Sequence, residues 1–175
     1  MRPLVPDGLE LALGDLLARA LTVDDAELVV EATATSPDAV WVPDPPPYPV
    51  ERARSFLADY EARRRAGGAA TFGVFGADAT RLLAGLVLQV HGPGDIEVAY
   101  WTRPEARRRG VAARSLAAVS GWVEDTLRPH RLWVEIAPGN TPSLRTAARA
   151  GYGRARRDGE RMVLMRDGPH PDVSR

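Results

Sequence analysis

Ile96-Glu97-Val98-Ala99-Tyr100-Trp101-Thr102-Arg103-Pro104-Glu105-Ala106-Arg107-Arg108-Arg109-Gly110-Val111-Ala112 is the stretch on which the fold turns. Its first six residues are rich in β-branched and aromatic side chains and read as a strand. From Val111 to Leu127 the period changes, with Ala112, Leu116, Val119 and Val123 along one helix face. The short turn between them feeds straight into a helix N-terminus. Such a turn exposes unpaired backbone N–H groups at the positive end of the helix dipole, an arrangement that binds phosphate. Gly110 lets a ligand approach the main chain, and the small Ala112 leaves room one turn in. Arg107, Arg108 and Arg109 add charge where a pyrophosphate needs it. A run of three arginines by itself is more often a solvated surface, or a minor basic patch for nucleic acid. Its position between a strand and a glycine-opened helix is what points to phosphate. Gly-x-Gly-x-x-Gly is missing, and a chain without lysine cannot carry the P-loop lysine, so those two kinds of phosphate site are excluded.

On the N-terminal side, Leu9 to Leu21 is mixed in pattern and is expected to hold a first strand. A helix capped by Asp24 or Asp25 runs to about Thr35. Six prolines between Pro37 and Pro49 exclude a helix interior or a central strand, leaving an ordered loop or polyproline-like arm. A second helix spans about Val50 to Arg65 and ends at Gly67-Gly68. Strands are expected over Thr71 to Phe75 and Leu82 to His91, forming a meander with Ile96 to Trp101. On the C-terminal side come a strand at Leu132 to Ile136, a helix from about Pro142 to Ala150, and a hairpin. The hairpin joins Tyr152–Arg157 to Arg161–Met165 through Asp158-Gly159. This order describes one α/β (α+β) domain over residues 1–175, its core about 9–166 and its tail 168–175 disordered. The sheet is expected to be mixed and mostly antiparallel, with six to seven strands flanked by about four helices.

Composition narrows the function classes. The chain has 175 residues, 45% apolar and 26% charged, with zero formal net charge. No global field draws it to nucleic acid or an anionic membrane, and no second basic cluster is evident in the sequence. No window reaches the apolar length of a membrane span, and the N-terminus lacks a signal-peptide core, so a cytoplasmic protein is expected. With no cysteine, there is no thiolate metal site and no acyl-cysteine route. All 23 basic residues are arginine, which closes lysine chemistry as well. His91, His130 and His170 have neither metal-ligand spacing nor an evident acidic partner in sequence, and no metal is expected.

Arg107-Arg108-Arg109-Gly110-Val111-Ala112 resembles the Arg/Gln-x-x-Gly-x-Gly/Ala motif of the GCN5-related N-acetyltransferases (GNAT). Asn140-Thr141-Pro142-Ser143, with Gly151-Tyr152 eight residues on, is similar to the Asn-x-x-Ser…Gly-Phe signature of their RimJ/RimL-like branch. The resemblance covers roughly Leu9 to Met165. It implies a sheet splayed between Ile96–Thr102 and Leu132–Ile136, with the pantetheine arm of acetyl-CoA in the gap. Main chain at Tyr100, Trp101 and Thr102 would pair with the pantetheine amides, and the amides of Arg107 to Ala112 would hold the pyrophosphate. Asn140 and Ser143 would contact the cofactor too. Direct transfer to a primary amine in a ternary complex follows, the acceptor being a protein N-terminus or a small molecule.

The chemistry needs a base for the amine and a group at the departing thiolate. Glu135 sits opposite the apolar face of its strand, and the resemblance gives a glutamate there the role of base; the competing reading is a salt bridge. Glu97, on the other splayed strand, is the rival base. Ser143 is the candidate at the thiolate by resemblance, although a serine in a first helical turn commonly serves as a cap. Many relatives carry a tyrosine acid where Ala147 stands here. Trp41, Asp44 and Tyr48 are the candidate acceptor wall, and Glu97 is a further candidate for binding the acceptor; the alternative is that Trp41 belongs to the core and the prolines merely connect. The rival functions are a non-catalytic acyl-CoA sensor and a nucleic-acid-binding domain. A homodimer is left open.

Overall fold

The computed structural model describes residues 2–34, 48–76 and 78–166. The chain opens with a hairpin of β1 (Glu10–Ala12) and β2 (Leu16–Ala20), so the mixed segment expected to give one strand gives two. Gly14 supplies the positive φ, +75°, that the turn requires. The helix α1 (Ala26–Ala34) is preceded by a one-turn 3-10 segment at Val23–Asp25. Asp25 fixes this corner, accepting from the Thr22 amide at 2.8 Å and from both Arg19 terminal nitrogens at 2.8 and 2.7 Å. The helix α2 (Val50–Arg65) begins after Pro49, where proline is tolerated, and gives way to Gly67 at φ +75°.

The strands β3 (Ala69–Gly76), β4 (Leu82–Gly92) and β5 (Asp95–Thr102) form the expected meander. Then come α3 (Val111–Leu127), β6 (Arg131–Ile136), α4 (Thr141–Arg149), β7 (Tyr152–Asp158) and β8 (Arg161–Arg166). The eight strands lie in one sheet, in the order β1-β2-β3-β4-β5-β6-β8-β7. Every pairing is antiparallel except that of β5 with β6. The sheet thus has one strand more than expected, the extra one at its N-terminal edge.

Strand alternation divides the apolar side chains between two faces. Ile96 and Val98 of β5 and Leu132, Val134 and Ile136 of β6 pack with Leu116, Val119 and Val123 of α3. On the other face Leu21, Val29, Leu57, Phe75, Leu82 and Trp101 form a second core with α1 and α2. Each fully buried Leu, Val or Phe contributes about 1.5–3 kcal/mol, which is what holds the helices to the sheet. Among the described residues no helix is long and apolar enough to cross a membrane.

The middle of the sheet is incomplete. β5 pairs with β6 only at Asp95↔Arg131, Ile96↔Leu132 and Glu97↔Trp133. Beyond that point each strand keeps its outer partner, β5 pairing with β4 as far as Thr102 and β6 with β8 as far as Ile136. The two therefore part from one another. The C-terminal elements are tied to α3 by Arg166, whose Nε donates to Glu124 at 2.9 Å and whose Nη1 donates to the Ala150 carbonyl at 2.7 Å.

Candidate active site

An open cleft of about 1050 Å³ lies where β5 and β6 diverge. Its walls are the end of β5 at Tyr100, Trp101 and Thr102, the turn into α3, and the first turns of α4 from Asn140. Gly110 caps α3 at φ +74°, and Arg108 also has a positive φ of +62°. These two left-handed residues turn the chain so that α3 starts at the cleft. The amide of Arg114 is the first to reach a helical carbonyl, that of Gly110 at 3.0 Å. The amides of Val111, Ala112 and Ala113 consequently have no carbonyl one turn back, and all three residues line the cleft. Arg114 anchors the helix start from behind, bonding Leu13 O and Asp15.

Charge around this helix start is unevenly spread. Arg107 and Arg108 line the cleft, whereas Arg109 stands outside it, adding a little to the hold of Arg114 that keeps the exposed Asp15 carboxyl below its usual range. Arg107 donates from Nε to the Thr102 carbonyl at 3.2 Å. Two arginines that the sequence did not single out, Arg145 and Arg149, face the loop from α4. Their spacing of four puts them on one helix face, the only signal that could have revealed them. A phosphate-bearing ligand entering here meets cationic groups on both walls.

Across the cleft, Asn140 caps α4 by accepting from the Ser143 amide at 3.2 Å. Ser143 also meets Tyr100. The Tyr100 hydroxyl donates to the Ser143 carbonyl at 2.8 Å and lies 2.7 Å from Ser143 Oγ. The pair bridges β5 and α4 over the gap. Burial pushes the Tyr100 hydroxyl up to about 12, outweighing the opposing hydrogen bond with Ser143. It stays protonated at physiological pH, a hydrogen-bond donor and a poor acid. Ala147, one turn further along α4, is fully buried in the core.

The opposite face of the sheet carries a second group of polar residues. Glu97 is joined to His91 Nε2 at 2.8 Å, so the histidine has the acidic partner that its sequence neighbours did not suggest. The His91 ring lies 5.2 Å from that of Trp133, the cross-strand neighbour of Glu97. Glu135 is exposed and accepts from Trp133 Nε1 at 3.4 Å. Its expected salt-bridge alternative is not realised with any described arginine. Glu97 and Glu135 thus stand on β5 and β6 at the face turned away from α3, beside the point where the strands separate.

Of the expected acceptor wall, Tyr48 is buried, 5% exposed, in the core with Leu57 and Trp101. Trp41 and Asp44 lie outside the described residues, as does the tail from 167. Arg154, Arg156 and Arg157 of β7 and Arg161 of β8 form a second basic cluster, which corrects the expectation of none: the four lie close together in sequence on one hairpin.

This geometry has counterparts. A family model of the acetyltransferase (GNAT) domain matches residues 15–153, from the hairpin turn to the first residues of β7. The chain belongs to the GNAT acetyltransferases. No curated protein matches its sequence. Among solved structures, the ribosomal-protein-S5-alanine acetyltransferase from Vibrio fischeri is 14% identical, with a TM-score of 0.75 over 90% of this chain and 94% of that one. RimJ from Mycobacterium smegmatis, in complex with CoA-disulfide, is 20% identical, with a TM-score of 0.72 over 94% and 88%. RimL, the ribosomal L7/L12 alpha-N-protein acetyltransferase, in complex with coenzyme A, is 13% identical, with a TM-score of 0.76 over 90% and 96%. At these identities the likeness is one of fold, and it spans nearly the whole acetyltransferase.

Proposed function

We propose that the chain transfers an acetyl group from acetyl-CoA directly to a primary amine, the N-terminus of a polypeptide, in a ternary complex. The observation that carries this reading is the parting of β5 from β6 beyond Glu97↔Trp133. The gap joins a cleft suited to an extended phosphorylated ligand to a sheet face bearing carboxylates. Donor and acceptor can therefore meet from opposite sides without competing for space.

The residues fit coenzyme A on two counts. The amides of Val111 to Ala113 are the kind of donors a pyrophosphate requires, with Arg107, Arg108, Arg145 and Arg149 around them. From Val98 to Thr102, β5 pairs with β4 on its outer side and has left β6 on its inner side. Main chain along such an inner side pairs with an extended amide-bearing arm. When bound there, acetyl-CoA supplies an activated thioester carbonyl.

Glu135 takes the proton that the amine must shed to attack, directly or through one water. Glu97, oriented by His91, holds the incoming ammonium before deprotonation. With Tyr100 donating to Ser143, the Ser143 Oγ proton is left to hydrogen-bond to the departing sulfur. With no cysteine in the chain, the acetyl group has no thiol on which to pause.

The test is a panel of peptides and small amines assayed by release of the CoA thiol. The expected result is turnover with peptide N-termini and little with aminoglycosides or diamines. Turnover with small amines alone would overturn the acceptor assignment.

A further inference from the structure

The strand register places charge at a defined distance from Glu135. On the face turned away from α3, Glu135 pairs across to Val163 of β8, and Val163 pairs across to Arg156 of β7. Cross-strand partners share a face, so Glu135, Val163 and Arg156 stand in one row. Met162 and Leu164 pack into the core with α3, so Val163 and Arg161 belong to the opposite side. Arg161 pairs with Asp158, and Asp158 accepts from Arg156 at 3.1 Å. Arg156 therefore ends the row that begins at the candidate base, and Arg161 lies beside it on the same face. They lie across the sheet from the α3 turn, where the phosphates of the donor would be held.

Neighbouring strands are about 4.8 Å apart, so Arg156 is roughly 10 Å from Glu135 along the row. An extended peptide advances about 3.3–3.6 Å per residue. A chain whose amino group is at Glu135 and which runs over β8 would bring the side chains two to four residues from its N-terminus above Arg156 and Arg161. Guanidinium groups recognise carboxylates by paired N–H donation. Val163 between them is 5% exposed, so a peptide crossing here passes over the side chains that cover it. β7 itself is an edge strand with every residue after Tyr152 exposed.

We infer that Arg156 and Arg161 select polypeptide acceptors carrying acidic residues within the first few positions after the N-terminus. This rests on the reading of Glu135 as base and of a polypeptide N-terminus as acceptor. Both arginines are solvent-exposed, and exposed ion pairs have a modest effect that salt screens. The selection is thus roughly a three- to tenfold effect, strongest at low salt.

The experiment uses two peptides identical except at positions two to four, acidic in one and the matching amides in the other. For the whole protein the acidic peptide should show a roughly three- to tenfold lower KM with similar kcat, and raised salt should narrow the gap. In Arg156→Gln/Arg161→Gln the ratio of the two KM values should fall to near one; a change confined to folding would move both peptides together. Equal KM values in the parent protein, or a ratio that survives the double substitution, overturns the inference. Binding of the same fluorescent peptides to the CoA-loaded protein is followed by anisotropy in parallel. If no peptide is acetylated, the acceptor assignment fails, and the anisotropy ratio still decides whether the two arginines read acidic residues.

Discussion

On one side of the gap between β5 and β6 the acetyltransferase offers backbone, and on the other it offers side chains. The cleft is built from the turn at Arg108 to Gly110, the first amides of α3 and the inner side of β5, with arginines only at its rim. The far face is built from Glu97, His91, Trp133 and Glu135, all wholly or partly exposed, each held by contact with a neighbour. A backbone site depends on the few residues that permit an uncommon conformation, so it tolerates little change and has a recognisable spelling. A side-chain site on an exposed sheet face tolerates substitution position by position. The contrast explains how one fold keeps a fixed donor while its acceptor varies.

The comparison breaks first, and hardest, at Gly110. A residue with a Cβ at φ +74° costs about 1–3 kcal/mol in strain, and a carboxylate there would oppose phosphates held as proposed. Gly110→Glu should lower affinity for acetyl-CoA on the order of a hundredfold and abolish its protection against thermal unfolding. Unchanged protection would remove the phosphate site from this turn. On the other side, Glu135→Gln should lower kcat on the order of a hundredfold while leaving that thermal protection in place. Loss of acetyl-CoA binding in this variant would mean that the two sides are not separable.

The smallest effect comes from Tyr100, which bridges β5 and α4 at the cleft. Tyr100→Phe removes the hydrogen bonds that aim Ser143, worth about 0.5–1.5 kcal/mol, so kcat should fall two- to tenfold with little change in KM for the donor. The same variant has a pH signature. Tyr100 ionises near 10 in the unfolded chain and at about 12 in the fold, so between those values the unfolded state binds fewer protons. Its contribution is complete below pH 10 and is lost as pH rises toward 12, a loss of about 2 kcal/mol. Urea unfolding of Tyr100→Phe should show a shallower decline over that interval. Tyr152, also raised by burial, maintains part of the slope in both proteins. Identical slopes would show that the Tyr100 hydroxyl is not buried against Ser143 in solution.

The same contrast sorts what the sequence could convey. The helix at Val111–Leu127 and its Gly110 cap are legible, because little but a helix repeats every 3.6 residues and a glycine at its start suits a positive φ. Asn140 is legible as a cap for a similar reason. The β1–β2 hairpin is not, since its turn interrupts an already short and mixed apolar pattern. The bond of His91 to Glu97 crosses a hairpin and exists only once the β4–β5 register is set. The Tyr100–Ser143 pair joins positions 43 apart, and nothing local to either residue announces it. Arg145 and Arg149 read as ordinary solvated charges until α4 is placed against the cleft. The burial of Tyr48 is not legible either, since an aromatic next to prolines carries no periodic pattern that would assign it to the core.

The three-rung pairing of β5 with β6 has a further consequence, one for the unliganded molecule. A sheet that stops pairing midway has two extra edges inside it, and edges template the addition of foreign strands. Coenzyme A laid along β5 would act as the missing strand. The amides of Val98 to Thr102 on that side should then exchange with solvent rapidly in the empty protein and slowly in the loaded one.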